Sequence, residues 1–217
     1  MHKLMNKTSF MSAMKDGMRI HVGGFMVCGT PRLLVDWLVE SGVKDLTIIC
    51  NDAGYEDEGV GKLIKNGQVK TLIASHIGLN PEAGRRMREG LMDVELVPQG
   101  TLAERIRAYG AGLGGVLTPT GIHTIVEEGK QVITVGDRQY ILEEALGADI
   151  ALIQAKAADP LGSLVYDKTA RNFNPVMATA ATTVYAQVGD MVEDMDPECV
   201  VTPHIFVHHI IMEDNHD

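Results

Sequence analysis

Short apolar runs and helical stripes alternate along the first half of this chain, with glycines at the joints. Residues 18–22 form a β-rich run that ends on Gly23-Gly24. Thr30-Pro31 then has the form of a helix start, with threonine as cap and proline at the first helical position. Leu34, Trp37, Leu38 and Ser41 recur at helical spacing, and Gly42 is placed to end that helix. Residues 46–49 are a continuous apolar run, as expected of a buried parallel strand. The cycle repeats. A short helix is predicted over 61–65, a strand over 69–74, and a helix opened by Asn80-Pro81 that carries Arg85, Arg86 and Arg88. A strand over 94–97 follows, then a helix opened by the capping-box pattern Thr101 to Glu104, with Leu102, Ile106 and Tyr109 on one face. Such alternation predicts an α/β fold, a mostly parallel sheet with helices on both faces.

Past Tyr109 the period changes. Residues 110–121 are rich in glycine, and the runs 131–135 and 139–142 flank Gly136-Asp137, a hairpin signal. A small β-rich excursion over about 116–145 is predicted. Later strands are expected over 149–153, 182–185 and 204–211, all within one domain of residues 1–217.

Composition narrows the function classes. Of 217 residues, 29 are acidic and 19 basic, a formal net charge of −10. A chain so acidic lacks the general basic face that nucleic acid or an anionic membrane requires, so neither is an expected partner. There is no apolar run of 18 residues and no secretory h-region at the N-terminus, and the expected location is the cytoplasm. Cys28, Cys50 and Cys199 are too scattered for a disulfide framework or a zinc knuckle. His76 and His123 have no further ligands at metal-site spacing, and His208 and His209, if in one strand, point to opposite faces. No metal site is expected.

The strongest local signal is the segment Gly23-Gly24-Phe25-Met26-Val27-Cys28-Gly29-Thr30-Pro31. Its glycines permit close backbone approach, and a helix N-terminus beyond it favours an anion; a tight strand-to-helix turn with no ligand is the plainer alternative. Cys28 has no paired histidine and is expected to be a small buried hydrophobe. Gln99 carries a neutral amide just after a strand and Pro98, at a strand's carboxyl end, where open α/β sheets bind ligands. Arg85, Arg86 and Arg88 could meet a phosphate, but a solvated helix face is the simpler expectation. Glu127, Glu128, Glu143 and Glu144 are expected to be solvated turn charges.

Several segments together resemble a known family. Asp16-Gly17, the glycine segment, Cys50-Asn51-Asp52, Ala74-Ser75-His76-Ile77-Gly78, Val97 to Leu102, Gly110 to Gly115 and Ala170-Arg171-Asn172-Phe173-Asn174-Pro175 are similar, in order, to the alpha subunits of family I coenzyme A transferases of the acetate or butyrate–acetoacetate type. The likeness runs over about residues 5–211. It departs at His21, where an aliphatic residue is usual, and at Tyr109 and His123, where glycine is common. These positions are expected to reshape the substrate pocket or a subunit interface.

The resemblance implies ping-pong transfer of CoA between a short-chain acyl-CoA, such as butyryl- or acetoacetyl-CoA, and a small carboxylate, such as acetate or acetoacetate. The intermediate is a glutamyl–CoA thioester whose glutamate lies in the beta subunit, and no Glu-Asn-Gly occurs here. It therefore implies a CoA-transferase beta subunit as partner in an α2β2 heterotetramer, with no catalytic nucleophile in this chain. CoA and acyl-CoA enter as substrates, and no permanent cofactor is implied. By the same resemblance Gly24, Phe25, Met26, Val27, Cys28, Gly29 and Thr30 contact CoA, while Asn51, Asp52, Gln99 and Gly100 line the acyl site. A second anion would stabilise an anionic intermediate poorly, so Asp52 is expected to orient a neighbour. Competing readings are a sugar-phosphate isomerase or deaminase, which would need its own acid/base pair, and a non-catalytic acyl-CoA-binding subunit.

Overall fold

Seven strands lie side by side in the main sheet of the computed structural model, which describes residues 3–213. In chain order the strands and helices are α1 (Lys7–Ala13), β1 (Arg19–Val22), α2 (Arg32–Ser41), β2 (Leu46–Cys50), α3 (Val60–Lys65), β3 (Val69–Ala74), α4 (Pro81–Arg88), β4 (Asp93–Leu96), α5 (Gln99–Gly110), β5 (Gly115–Thr118), β6 (Val132–Val135), β7 (Arg138–Glu144), β8 (Ala148–Ala158), β9 (Leu164–Val165), α6 (Asn174–Ala178), β10 (Ala181–Met191) and β11 (His209–Met212). The sheet order is β11-β10-β8-β1-β2-β3-β4, parallel throughout, with the two-residue β9 antiparallel on β8.

Strand alternation explains the two cores. Ile20, Val22, Ile48, Cys50, Leu72 and Ala74 face one side and pack under α1 to α4. Ile49, Ile73, Ala151 and Ile153 face the other, under Leu102 and Ile106 of α5 and Met177 of α6. Both faces are covered, which is why the strands are apolar runs. His21 sits between Ile20 and Val22 and so faces the α5–α6 side. It is fully buried, and neither ring nitrogen has a hydrogen-bond partner. It therefore belongs to the core.

The order β1 to β4 steps outward in one direction. The chain then re-enters through β8 on the opposite edge of β1. That reversal lies between β1 and β8, the place where connections diverge and leave a crevice at the strands' carboxyl ends. Between β4 and β8 the chain makes a separate three-stranded antiparallel sheet, order β5-β7-β6. Its hairpin pairs Val135 with Arg138 around Gly136, whose φ is +61°.

Several local expectations need correction. Thr30 does not cap α2: Pro31 is the flanking residue, and the amides of Leu33 and Leu34 donate to the side-chain oxygen of Gln187, from β10, at 2.9 and 3.4 Å. Helix α5 starts at Gln99, two residues ahead of the Thr101–Glu104 pattern, which lies inside the first turn. Tyr109 leaves the buried face of α5; it is 48% exposed, with its ring against Gly147. The strand expected over 204–211 is a 3-10 turn (His204–Phe206) followed by β11, so His208 precedes the strand and its Nδ1 accepts from the Val184 amide at 3.0 Å. Glu143 is not a solvated turn charge: it is buried in β7, where it accepts from Lys130 Nζ at 2.7 Å. Other expectations hold. Gly42 ends α2 in the left-handed region at φ +71°, and Asn80 caps α4 by accepting from the Ala83 amide at 3.0 Å.

Candidate functional site

The loop after β1 is built by a clasp from a distant segment. Phe25 and Cys28 exchange both backbone hydrogen bonds at 3.0 Å, closing a tight turn in which Met26 takes φ +55°. Asn174, fully buried at the start of α6, holds the turn's base. Its Oδ1 accepts from the Gln154 amide at 3.0 Å, and its Nδ2 donates to the carbonyls of Gly29 at 2.9 Å and Ala170 at 2.8 Å. Asn172 donates to the Cys28 carbonyl at 3.0 Å. Gly23 is required by this clasp, since a Cβ there would lie 1.8 Å from Asn174 Oδ1. The glycines here bring two pieces of the same chain together. The outward tip of the turn is Phe25 and Cys28, both exposed, so Cys28 is not the buried hydrophobe expected.

A polar chain runs from this loop to α5. The Asp52 carboxylate accepts from the Met26 amide at 2.7 Å, the Gly54 amide at 2.8 Å and Asn51 Nδ2 at 2.6 Å. Asn51 Oδ1 then accepts from Gln99 Nε2 at 2.7 Å, and Ser75 donates to the Asn51 carbonyl at 2.7 Å. Each amide is fixed by its neighbour, because only one orientation of Asn51 satisfies both Asp52 and Gln99. Asn51 and Asp52 are buried. Burial, then the Asp52 charge, pushes the Cys50 thiol up; its Sγ donates to the Asp52 carbonyl. The chain ends at Gln99, which retains a second N–H and its carbonyl oxygen. Gln99 is also the first residue of α5. That helix's first bond runs from the Leu102 amide to Pro98, which leaves the amides of Gln99, Gly100 and Thr101 ahead of the helical ladder.

Gln99 and Gly100 open onto a cleft of about 470 Å³ lined by Phe25, Ala103, Arg107, Arg171, Asn172, Phe173, Pro175, Val176 and Val201. The loops after β1, β4 and β9 thus meet at the carboxyl ends of the sheet. Of the residues picked out from sequence, Phe25, Gln99 and Gly100 line this cleft. Asn51 and Asp52 stand behind Gln99. Gly24, Met26 and Thr30 line a separate small crevice with Asn51 and Asp52. The wall holds two arginines and no carboxylate. Sequence reasoning did not assign Arg107 or Arg171; Arg171 lay inside a segment recognised only as a likeness.

The basic helix lies elsewhere. Arg85 and Arg86 of α4 are bound by Glu82, and Arg85 also by Glu89, while Arg88 forms no ion pair among the described residues, so most of this solvated face is already neutralised. No group of three or more potential metal ligands is found among the described residues, and no helix among them is long and apolar enough to cross a membrane.

A parallel α/β sheet with a side sheet after β4, and a strand-end cleft walled by an amide and two arginines, defines an α/β chain built to handle a ligand at its strand ends. The family Coenzyme A transferase matches residues 5–213, and the chain belongs to it. Acetate CoA-transferase subunit alpha of Escherichia coli K12 is 54% identical over 97% of this chain and 96% of its own length. Acetoacetyl-CoA:acetate/butyrate CoA transferase alpha subunit of Clostridium acetobutylicum is 48% identical over 97% and 98%. The crystal structure of an acyl-CoA transferase from Escherichia coli O157:H7, as a thioester complex with CoA, superposes with a TM-score of 0.88 at 21% identity. It covers 100% of this chain, which spans 48% of that longer one.

Proposed function

We propose that this chain is the alpha half of a heteromeric enzyme that moves CoA between a short-chain acyl-CoA and a small carboxylate, and that a beta partner supplies the nucleophile. The observation that carries this reading is the cleft wall, where an oriented amide and two arginines face apolar side chains and no carboxylate is present. In the proposed cycle the partner's glutamate attacks the thioester carbonyl, and a tetrahedral oxyanion forms. Its collapse expels the CoA thiolate and leaves an acyl-glutamyl anhydride. The thiolate then attacks the glutamyl carbonyl, giving a glutamyl–CoA thioester and the free carboxylate. A second carboxylate reverses these steps and leaves as its CoA ester. The oxyanion is where a fixed donor has most effect, and the free N–H of Gln99, with the leading amides of α5, is the candidate. Asp52 acts through Asn51 to hold Gln99 and does not meet substrate. Glutamate and the CoA thiol carry the chemistry, so no resident cofactor is required, and an α2β2 assembly is the proposed form.

The test is acyl transfer from butyryl- or acetoacetyl-CoA to acetate, by the chain alone and after co-expression with its beta partner. Activity only in the complex, with ping-pong kinetics, is expected. In that complex Gln99→Ala should lower kcat by about 10²-fold, the usual cost of one oxyanion donor. Transfer by the isolated chain would overturn the half-site reading. A Gln99→Ala complex that loses affinity but keeps kcat would favour a binding subunit.

A further inference from the structure

The proposed acyl chemistry leaves the two arginines of the cleft without a part, and their surroundings indicate what they bind. Four other arginines of the chain are committed to carboxylates. Arg105 is buried and pairs with Glu95 at 2.6 Å and Glu143 at 3.9 Å, Arg32 pairs with Glu58 at 3.2 Å, and Arg85 and Arg86 share Glu82. Arg171 forms no ion pair among the described residues. Arg107 has only Glu104, one turn away at 3.2 Å, in a pair whose side chains are 60% and 52% exposed. Such an exposed pair is weak and exchanges readily for a better anion.

Their placement separates two possible anions. Gln99, Gly100, Ala103 and Arg107 lie in sequence along α5, so Arg107 stands two turns, about 12 Å, from Gln99 at the rim. Apart from Gly100 and Asn172, the rest of the cleft lining is apolar: Phe25, Ala103, Phe173, Pro175, Val176 and Val201. Arg171 reaches the cleft from a 3-10 turn (Lys168–Arg171) whose carbonyl at Ala170 is tied to Asn174, so its backbone is fixed to the glycine loop. A small carboxylate reacting beside Gln99 is too short to reach a rim two turns away. A ligand with a long neutral arm and remote phosphates matches that spacing. The net charge of −10 adds a reason, since a polyanionic ligand approaching this chain needs local cations.

We propose that Arg107 and Arg171 form a phosphate-binding rim that receives the phosphate-bearing end of the acyl-CoA, and that they contribute to CoA affinity and not to acyl choice. This rests on the transferase reading above. Binding at such a remote group is the energy that can be used to hold a small acyl group at the reacting centre.

The test uses the co-expressed complex with acyl-CoA and with the matching acyl-pantetheine thioester, which lacks the phosphates. Arg171→Gln and Arg107→Gln are expected to raise KM for acyl-CoA about 10-fold each, within the range for a charge-assisted hydrogen bond. Neither should change KM for acetate, and neither should affect the pantetheine thioester. An equal effect on both thioesters would overturn the proposal, as would a rise in the acetate KM, which would assign the arginines to the carboxylate. Wild-type complex that transfers no CoA would instead refute the transferase reading. Arg171→Lys separates charge from geometry and should recover part of the loss.

Discussion

Two sets of buried polar side chains differ sharply in how they are satisfied. Asn51, Asp52 and Asn174 are buried where strands end, and every one of them is bonded to at least two partners. His21 is just as buried in the middle of β1, and neither ring nitrogen meets a partner in good hydrogen-bonding geometry, with only the backbone of Met177 and Leu146 close by. The cause is positional. Within β1 the backbone donors and acceptors are taken by the ladders to β2 and β8, so a side chain there must look to the packed elements above the sheet for a partner. Beyond the strand ends the backbone turns, and amides such as Met26 and Gly54 become available to a side-chain acceptor. A parallel sheet thus accepts polar residues at its carboxyl ends at little cost and penalises those in its interior that, unlike Gln187, reach no helix terminus.

The largest expected effect tests the satisfied side of this comparison. Asn174→Leu removes one acceptor and two donated bonds, leaving the Gly29 and Ala170 carbonyls and the Gln154 amide unpartnered. The expected loss of stability exceeds about 3 kcal/mol, since each stranded buried group costs about 1–3 kcal/mol. Gly23→Ala should act through the same contact, because its Cβ would enter the space of Asn174 Oδ1. In urea unfolding the losses from Gly23→Ala and Asn174→Leu should fall short of additive in the double variant. Full additivity would show that the clasp is not one unit.

Asp52→Asn is expected to cost less, about 1.5–3 kcal/mol, the range for hydrogen bonds to a charged group. An amide can accept at one atom only, so either the Gly54 amide loses its partner at Oδ1 or the Met26 amide and Asn51 Nδ2 together lose theirs at Oδ2. The second outcome is the one that loosens the turn, since the left-handed backbone of Met26 costs roughly 1–2 kcal/mol without an anchor. Met26→Gly in the Asp52→Asn background should restore about 1 kcal/mol, measured by thermal unfolding. If the glycine restores nothing, Asp52 does not hold that turn.

Much of the fold was legible because period is a local signal. The alternation of apolar runs and helical stripes located β1 to β4 with their intervening helices, and Gly136-Asp137 located the β6–β7 hairpin. Contacts between distant segments were not legible. Gln187 caps α2 from 154 residues away for the Leu33 amide, and nothing near Thr30 signals it. The same holds for the site. Gln99 was visible as an amide after a strand, but its link to Asn51 spans 48 residues and depends on β2 and β4 lying on either side of β3. The arginines of the rim lie 64 positions apart, numbered 107 and 171, and only the meeting of α5 with the segment before α6 puts them in one cleft. Glu143 was misread because buried and exposed carboxylates look alike in a sequence when the partner, Lys130, lies across a hairpin.

A gain over the natural sequence is expected at His21. Its burial, above all, lowers the imidazole pKa to about 3. Backbone near Met177 and Leu146 offsets part of that shift, and Arg19 adds to it. An unfolded chain takes up this proton near pH 6.5, whereas the folded one takes it up only near pH 3. Between those values the unfolded state binds more protons, so stability falls as pH drops through the window, by up to about 1.4 kcal/mol per pH unit. Above pH 7.5 both states are neutral, and only the cost of two stranded nitrogens is left. His21→Leu is close in volume and removes both costs. It should stabilise the chain by about 1–2 kcal/mol at pH 7.5. The gain should widen by about 1 kcal/mol on going to pH 5.5. Stability curves of the two proteins that run parallel from pH 7.5 to 5.5 would mean that His21 finds a partner in solution, and would remove the contrast between mid-strand and strand-end burial.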